Sequence, residues 1–293
     1  MAFEPDGADR SGQPPTMERY ASPLAYEPGK LYREHPEPIQ VGSMLWVLTD
    51  PTRGHEFAYN RWYERDHYYA GCMVGRNNFA GSRWVATRSH KDLRLPAETG
   101  LDFPRTAGSY ACVYYMLDGS HEDWLAWATP QANWLYEVNR GFPERTHYNT
   151  STWRHEWRAY RDPDPILLEL ALDHRYPGMV AQFIDPGADG VTGLDAFMEG
   201  YLPGWLANSA VASVSQWSYI PLRDDKAEFV PVDERDADRV LQLFFLESDP
   251  ADHWDSFGAL TDAMAASGKG QSAWTAGFVA TNIGTDDYID QLW

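Results

Sequence analysis

Cysteine is scarce: the 293 residues contain two, Cys72 and Cys112. One disulfide at most could form, which excludes a small secreted scaffold held by several bridges. Both cysteines sit among apolar residues, where a buried reduced thiol is the expected state. Neither CxxC nor HExxH occurs, and His55-Glu56, His121-Glu122 and His155-Glu156 are isolated dipeptides, so no metal centre is expected. GxGxxG, Walker and GxSxG sequences are also missing, which removes the usual grounds for nucleotide binding or α/β-hydrolase chemistry. No stretch approaches the roughly 20 apolar residues of a membrane span. Basic residues are few: 24 Lys and Arg face 43 Asp and Glu, a net charge of −19, and no basic run reverses it locally. Nucleic acid and anionic bilayers are therefore poor partners. The opening MAFEPDGADRSGQPP is acidic and lacks an apolar segment, unlike a secretory signal or a basic transit peptide, and the expected compartment is the cytoplasm.

Against these absences, 43% of the residues are hydrophobic, enough for a substantial core in one large domain or two ordinary ones. Residues 1–39 are rich in Pro, Gly and Glu yet carry Tyr20, Tyr26 and Tyr32, the pattern of an extended, partly packed arm. Periodicity then predicts a strand over 41–50, a helix over 55–69, a strand over 82–89 and a polar loop over 90–108. A strand over 110–117 follows, then a helix from Ser120 to about Gly141 that Pro130 should kink or split, and a strand over 152–160. Asp162-Pro163-Asp164-Pro165 reads as a linker. Beyond it the same order recurs: strand 166–173, helix 193–207, strands 211–222 and 240–247, helix 252–266, strand 273–281.

Each half is thus βαββαβ, and aligned residues support a tandem repeat. Tyr114 through Trp124 sets without a gap against Phe244 through Trp254, Ser82-Arg83-Trp84 against Ser215-Gln216-Trp217, and Leu48-Thr49-Asp50 against Ala171-Leu172-Asp173. A βαββαβ unit makes a four-stranded antiparallel sheet with both helices on one face, leaving the other face to be covered. The expected fold is α+β: two ferredoxin-like βαββαβ repeats, 40–161 and 162–293, packed sheet to sheet as a fused barrel. In one chain this lets a monomer act as a pseudo-dimer, and further pairing to a homodimer stays open.

The most informative segment is Glu56-Phe57 through Trp62-Tyr63 to His67 on the first helix. It resembles the EF-x-x-WY-x-x-x-H signature of the dimeric α+β barrel superfamily, which includes the EthD-like and stress-responsive barrel proteins. One extra residue precedes the Trp-Tyr pair, and Tyr68-Tyr69 replaces the usual Ile-Pro. The resemblance implies that this helix face points into a pocket between helices and sheet, with the histidine in catalysis. Placed at a helix C-terminus, His67 would have its pKa raised toward neutrality by the macrodipole and could exchange protons. Tyr63 at i−4 and Asn60 at i−7 would share its face, while Asp66 would be solvated. In the second repeat Tyr201 replaces His67, so one active pocket in the first half and a mainly structural or accessory second half are expected.

Aromatic residues are plentiful, with 13 Trp, 17 Tyr and 12 Phe. Trp62, Tyr68, Trp84, Tyr114, Tyr115 and Trp124 fall on elements that would line the first pocket, suiting a flat apolar substrate. On strand 110–117, Cys112, Tyr114 and Met116 face one side while Val113, Tyr115 and Leu117 face the other, and the pocket side is open at this level. The catalytic candidates are His67 and Tyr63; the substrate-binding candidates are Asn60, Trp62, Tyr68, Trp84, Tyr115 and Trp124. The resulting expectation is a cofactor-independent enzyme using a histidine acid/base on an aromatic, polyketide-like or terpenoid substrate, as isomerase, cyclase, dehydratase or lyase. Cofactor-free oxygenation of a phenolic substrate is the alternative, followed by a non-catalytic ligand binder or a haem binder through His67, His121, His147 or His155.

Overall fold

The computed structural model describes residues 17–19, 39–226, 230–231 and 234–293. Tyr20, Tyr26 and Tyr32 of the expected arm lie outside them. The strands are β1 (Met17–Arg19), β2 (Val41–Pro51), β3 (Asn78–Val85), β4 (Tyr110–Leu117), β5 (Arg145–Tyr160), β6 (Gly178–Pro186), β7 (Val211–Ile220), β8 (Val240–Leu246) and β9 (Gly270–Ala280). The helices are α1 (Glu56–Trp62), continued by a π-helix (Tyr63–Met73), then α2 (Arg88–Leu93), α3 (His121–Glu137), α4 (Gly190–Leu206) and α5 (Trp254–Ser267).

All strands belong to one antiparallel sheet in the order β1-β5-β2-β4-β3-β9-β6-β8-β7, and β5 also pairs with β7. That last pairing closes β2 to β9 into an eight-stranded barrel. Numbered within each half, the strands run 4-1-3-2 twice, the ferredoxin-like order, so the fold is a fused dimeric α+β barrel as the sequence predicts. The two seams differ in extent. β5 and β7 pair from Thr152↔Ile220 to Tyr160↔Ser213, whereas β3 and β9 meet only at Trp84↔Ala280 and Val85↔Val279.

Strands with both faces buried account for this architecture. On β2, Met44, Trp46 and Leu48 enter the barrel interior, while Leu45 and Val47 face the helices outside. The interior is filled by large rings: Trp46 meets Phe183 and Phe278 edge-on at 6.2 and 6.3 Å. Tyr115 stacks on Trp217 at 5.6 Å. Outside the barrel, α4 and α5 pack Leu194, Met198, Leu202, Phe257 and Leu260 against Val180, Ile184 and Phe244 of the second half. A second helix layer covers the first half, with Tyr59, Tyr63, Cys72, Trp124 and Leu125 against Tyr110, Cys112 and Tyr114. Cys72 and Cys112 are buried free thiols in that layer.

Four local expectations are corrected. The 166–173 strand is a short 3-10 turn, Leu168–Leu170, and the first strand of the second half is Gly178–Pro186. Leu168, Ala171 and Leu172 are apolar because they join the barrel-interior cluster without strand pairing, so the alignment of 171–173 with 48–50 fails. The loop predicted over 90–108 opens with α2, whose His90 and Lys91 are buried. Of the kink or split expected at Pro130, the split is absent: α3 runs through Pro130 as one element. The first-half strand read as 152–160 starts seven residues earlier, at Arg145. Among the described residues no helix is long and apolar enough to cross a membrane, and no cluster of three His, Cys, Asp or Glu side chains could hold a metal ion.

Candidate active site

The first helix departs from ideal geometry where the chemistry is expected. From Tyr63 it continues for 11 residues as a π-helix, ending with Val74 N–H donating to Tyr69 O at 3.0 Å. Such widened turns concentrate at functional sites. His67 therefore lies inside a helix that runs on to Met73, and the macrodipole argument for a raised pKa does not apply. Burial instead pushes its imidazole well below the usual histidine range, with the cations Arg145 and Arg83 and the ring of His147 adding to the effect. The ring is neutral at neutral pH.

Packing alone positions that ring. It stacks on Trp62 with centroids 4.3 Å apart and planes 18° apart, and meets Tyr63 edge-on at 5.2 Å. Below it lies Gly71: a Cβ there would come 2.7 Å from Cε1 and 2.8 Å from Nδ1 of His67. Among the described residues neither ring nitrogen has a hydrogen bond. A methyl at position 71 would have to displace the ring, so Gly71→Ala is expected to lower turnover roughly 10- to 100-fold, as misplacement of a reacting group by about 1 Å does. Its melting temperature should stay near that of the wild type, because the displaced group borders a cavity. Unchanged turnover in this variant would show that His67 is not held against Gly71 for function.

Tyr63 is 2% exposed, and its hydroxyl shares a 2.6 Å hydrogen bond with that of Tyr114. Burial holds its phenol well above the ordinary tyrosine range, so it stays protonated and can donate or relay a proton but cannot act as a base. Asn60 serves another purpose. Arg83 of β3 is buried beneath the helix, donating to Asn60 Oδ1 at 2.9 Å and to Glu64 Oε1 at 3.3 Å, with its guanidinium 4.3 Å from the Tyr63 ring centroid. Satisfying this buried cation draws Asn60 away from the expected ligand face.

Between the π-helix and α3 on one side and β2 and β5 on the other lies a cavity. Leu45, Val47, Trp124, Leu125, Ala128 and Leu135 form its apolar wall, and His67, Tyr63, Thr49, Tyr136, Arg145, His147 and Thr150 supply polar groups. The partial exposure of His67 opens on this space. Leu222, Lys226 and Val230, from the connection between β7 and β8, complete the lining. The second half thus contributes directly to the first-half cavity. Arg145 Nη2 donates to Tyr136 Oη at 2.6 Å, and its guanidinium sits 4.5 Å from the Trp62 ring centroid. His147 Nδ1 lies 3.0 Å from Thr150 Oγ1, and burial together with Arg145 pushes its pKa down to about 3.

Of the eight candidate residues, His67, Tyr63 and Trp124 line the cavity. Trp62 stands behind His67, donating from Nε1 to Arg140 O at 2.8 Å. Tyr68 turns to the sheet, donating to Gly81 O at 2.6 Å. Trp84 and Tyr115 belong to the barrel interior, on the opposite face of their strands from His67. The alternation of β4 is thereby settled: Cys112, Tyr114 and Met116 face the helices. Asp66, expected to be solvated, pairs with Arg140. His121 and His155 line a separate depression with Ser43 and Arg154. Sequence reasoning missed Arg145 and Gly71, and named His147 only as a conceivable haem ligand. Had β5 been read from Arg145, the spacing of two between Arg145 and His147 would have placed both on one face.

No protein-family model matches the chain, and no curated protein sequence matches it. Solved structures do share its fold. An anthrone oxidase-like protein has a TM-score of 0.50 at 10% identity, over 84% of this chain and 95% of that one. A candidate chlorite dismutase has the same score and identity, over 87% of this chain and all of that one. These likenesses establish the barrel fold.

Proposed function

We propose that this protein is a small-molecule enzyme whose reaction begins when the neutral imidazole of His67 takes a proton from an aromatic, polyketide-like or terpenoid substrate in the first-half cavity. The observation that carries the reading is a neutral imidazole, free of hydrogen bonds among the described residues, opening on an apolar space. A base needs an unoccupied lone pair within reach of the substrate, and an apolar wall keeps water from competing for the proton. The resulting substrate anion faces Arg145, whose cation favours its formation. Return of the proton at another position gives isomerisation or cyclisation, and loss of water or a fragment gives dehydration or lyase cleavage. The EthD-like motif and the division near residue 162 belong to this reading, with 40–161 carrying the chemistry and 162–293 completing the cavity wall.

Cofactor-free oxygenation shares the first step and is the second reading. An electron-rich ring anion, held dry, can itself reduce dioxygen, and the anthrone oxidase-like structural neighbour carries a name consistent with that chemistry. Haem is disfavoured at His67, because an axial imidazole is oriented by a hydrogen bond on its second nitrogen and His67 has none among the described residues. The deciding experiment incubates a panel of phenolic and polyketide-like compounds with the protein and follows product mass and dissolved oxygen together. Mass-neutral, water-losing or fragment-releasing turnover without oxygen uptake is expected. Stoichiometric oxygen uptake would establish the second reading, and binding without turnover across the panel would count against both.

A further inference from the structure

The cavity is electrostatically at odds with the molecule around it. The chain carries 43 acidic residues against 24 basic ones. Yet among the described residues the cavity is lined by Arg145, Lys226 and two imidazoles, and by no Asp or Glu. Every other feature of the wall is apolar or a hydroxyl.

Arg145 makes the imbalance specific. Among the described residues no carboxylate pairs with it, and its one hydrogen bond runs from Nη2 to Tyr136 Oη at 2.6 Å. Its Nε is buried with no acceptor. The guanidinium is fixed nonetheless, held against Trp62 on one side and Tyr136 on another. A guanidinium partly withdrawn from water and left without a counter-charge is unfavourable, and a chain so rich in carboxylates could have supplied one. What is left is a pre-positioned fork with unused donors, the geometry that binds a carboxylate through two parallel hydrogen bonds. Because Trp62 also stacks on His67, the fork and the base sit on one common support.

We propose that the Arg145 fork, with Lys226 as a second cation, is an anchor for a carboxylate on the substrate, making the ligand an apolar ring system that carries one acidic group. This rests on the cavity being the ligand site and is independent of whether His67 performs catalysis. The anchor fixes one end of the ligand, and the apolar wall of Leu45, Val47, Trp124 and Leu125 takes the ring.

The test uses full-length protein and three probes of one shape: 2-naphthoate, its methyl ester and 2-naphthol, titrated at pH 7.5 by calorimetry and tryptophan fluorescence. The acid is expected to bind at least roughly 10-fold more tightly than the ester, the increment of a charge-assisted hydrogen-bonded pair. Arg145→Gln should abolish that preference while leaving ester affinity within about 2-fold, which also shows that the variant is folded. If it does not fold, Arg145→Lys, which keeps the charge and loses the fork, must reduce the preference. His67→Ala should retain it. Equal binding of acid and ester by the wild type overturns the anchor and leaves the catalytic proposal standing, as does a preference that survives both Arg145 substitutions. Failure of all three probes to bind overturns the anchor together with the reading of this cavity as a ligand site.

Discussion

His67→Ala is expected to lower kcat by roughly 10²- to 10⁴-fold, the contribution of a positioned general base, with a much smaller change in KM. The split follows from where the residue acts. The imidazole contributes little to holding an apolar ring, which the wall around Trp124 and Leu125 does, so its loss falls on the transition state. A pH profile separates this role from a structural one. Catalysis by the neutral ring requires it to be unprotonated, and burial places its pKa well below 6.5. The acid limb of kcat/KM should therefore lie below pH 6.5, leaving activity flat from neutrality down into the weakly acidic range. An acid limb near pH 7 that vanishes in His67→Ala would mean that the ring is solvated and charged when it works. Full activity in His67→Ala with a true substrate would remove the catalytic assignment altogether.

The second large effect is acid lability of the fold. Four histidines, one buried (His155) and three partly buried, are held in neutral form: His67 well below the usual range, His121 at about 4, and His147 and His155 at about 3, each through desolvation first. In the unfolded chain each would protonate near pH 6.5. Below that pH the unfolded state binds more protons than the folded one, so stability falls as pH drops toward the folded pKa values; above it their contribution is constant. Each group can remove up to about 1.4 kcal/mol per pH unit. Together they could remove several kcal/mol between pH 6.5 and 5.5, a large part of an ordinary domain's roughly 5–15 kcal/mol. Urea unfolding at pH 7.5 and 5.5 measures this directly. His155→Phe, at a 2% exposed site 5.1 Å from the Trp217 ring, should lessen the loss by about 1 kcal/mol. A free energy of unfolding that is the same at both pH values would contradict four imidazoles held neutral by the fold.

The fold was largely legible because its signal is repeated and local. Strands such as Val41–Pro51 and Tyr110–Leu117 are apolar on both faces, which marks a sheet covered on both sides, and the βαββαβ order recurs. The one misplaced strand, 166–173, shows the limit of that signal. Apolar residues that pack into a barrel interior look in sequence like residues that pair in a sheet, and only the hydrogen-bond register of Gly178–Pro186 with its neighbours distinguishes them.

The site was legible in part. His67, Tyr63 and Trp124 could be found because a motif and an amphipathic helix point to them. Asn60 was misassigned because its partner, Arg83, is 23 residues away on β3. Trp84 and Tyr115 were misassigned because alternation assigns strand residues to two faces without saying which face meets the helices. Arg145 and Lys226 were missed, and His147 was named only as a haem ligand, because they join His67 in lining the cavity from segments 78, 159 and 80 positions away, and no local pattern encodes such a meeting.

Sequence by itself determined most of the elements, 166–173 and α2 excepted, since burial on one face or two is written in the spacing of apolar residues. It also determined the excess of acidic groups and the presence of a histidine on the first helix. Tertiary structure decided that histidine's charge state, because a pKa depends on the dielectric and the cations around a ring, and those come from distant strands and the second half of the chain. It likewise decided that a strongly acidic protein encloses a basic cavity: net charge is a sum over the whole surface, whereas the field at a ligand is set by the few groups that packing brings within reach.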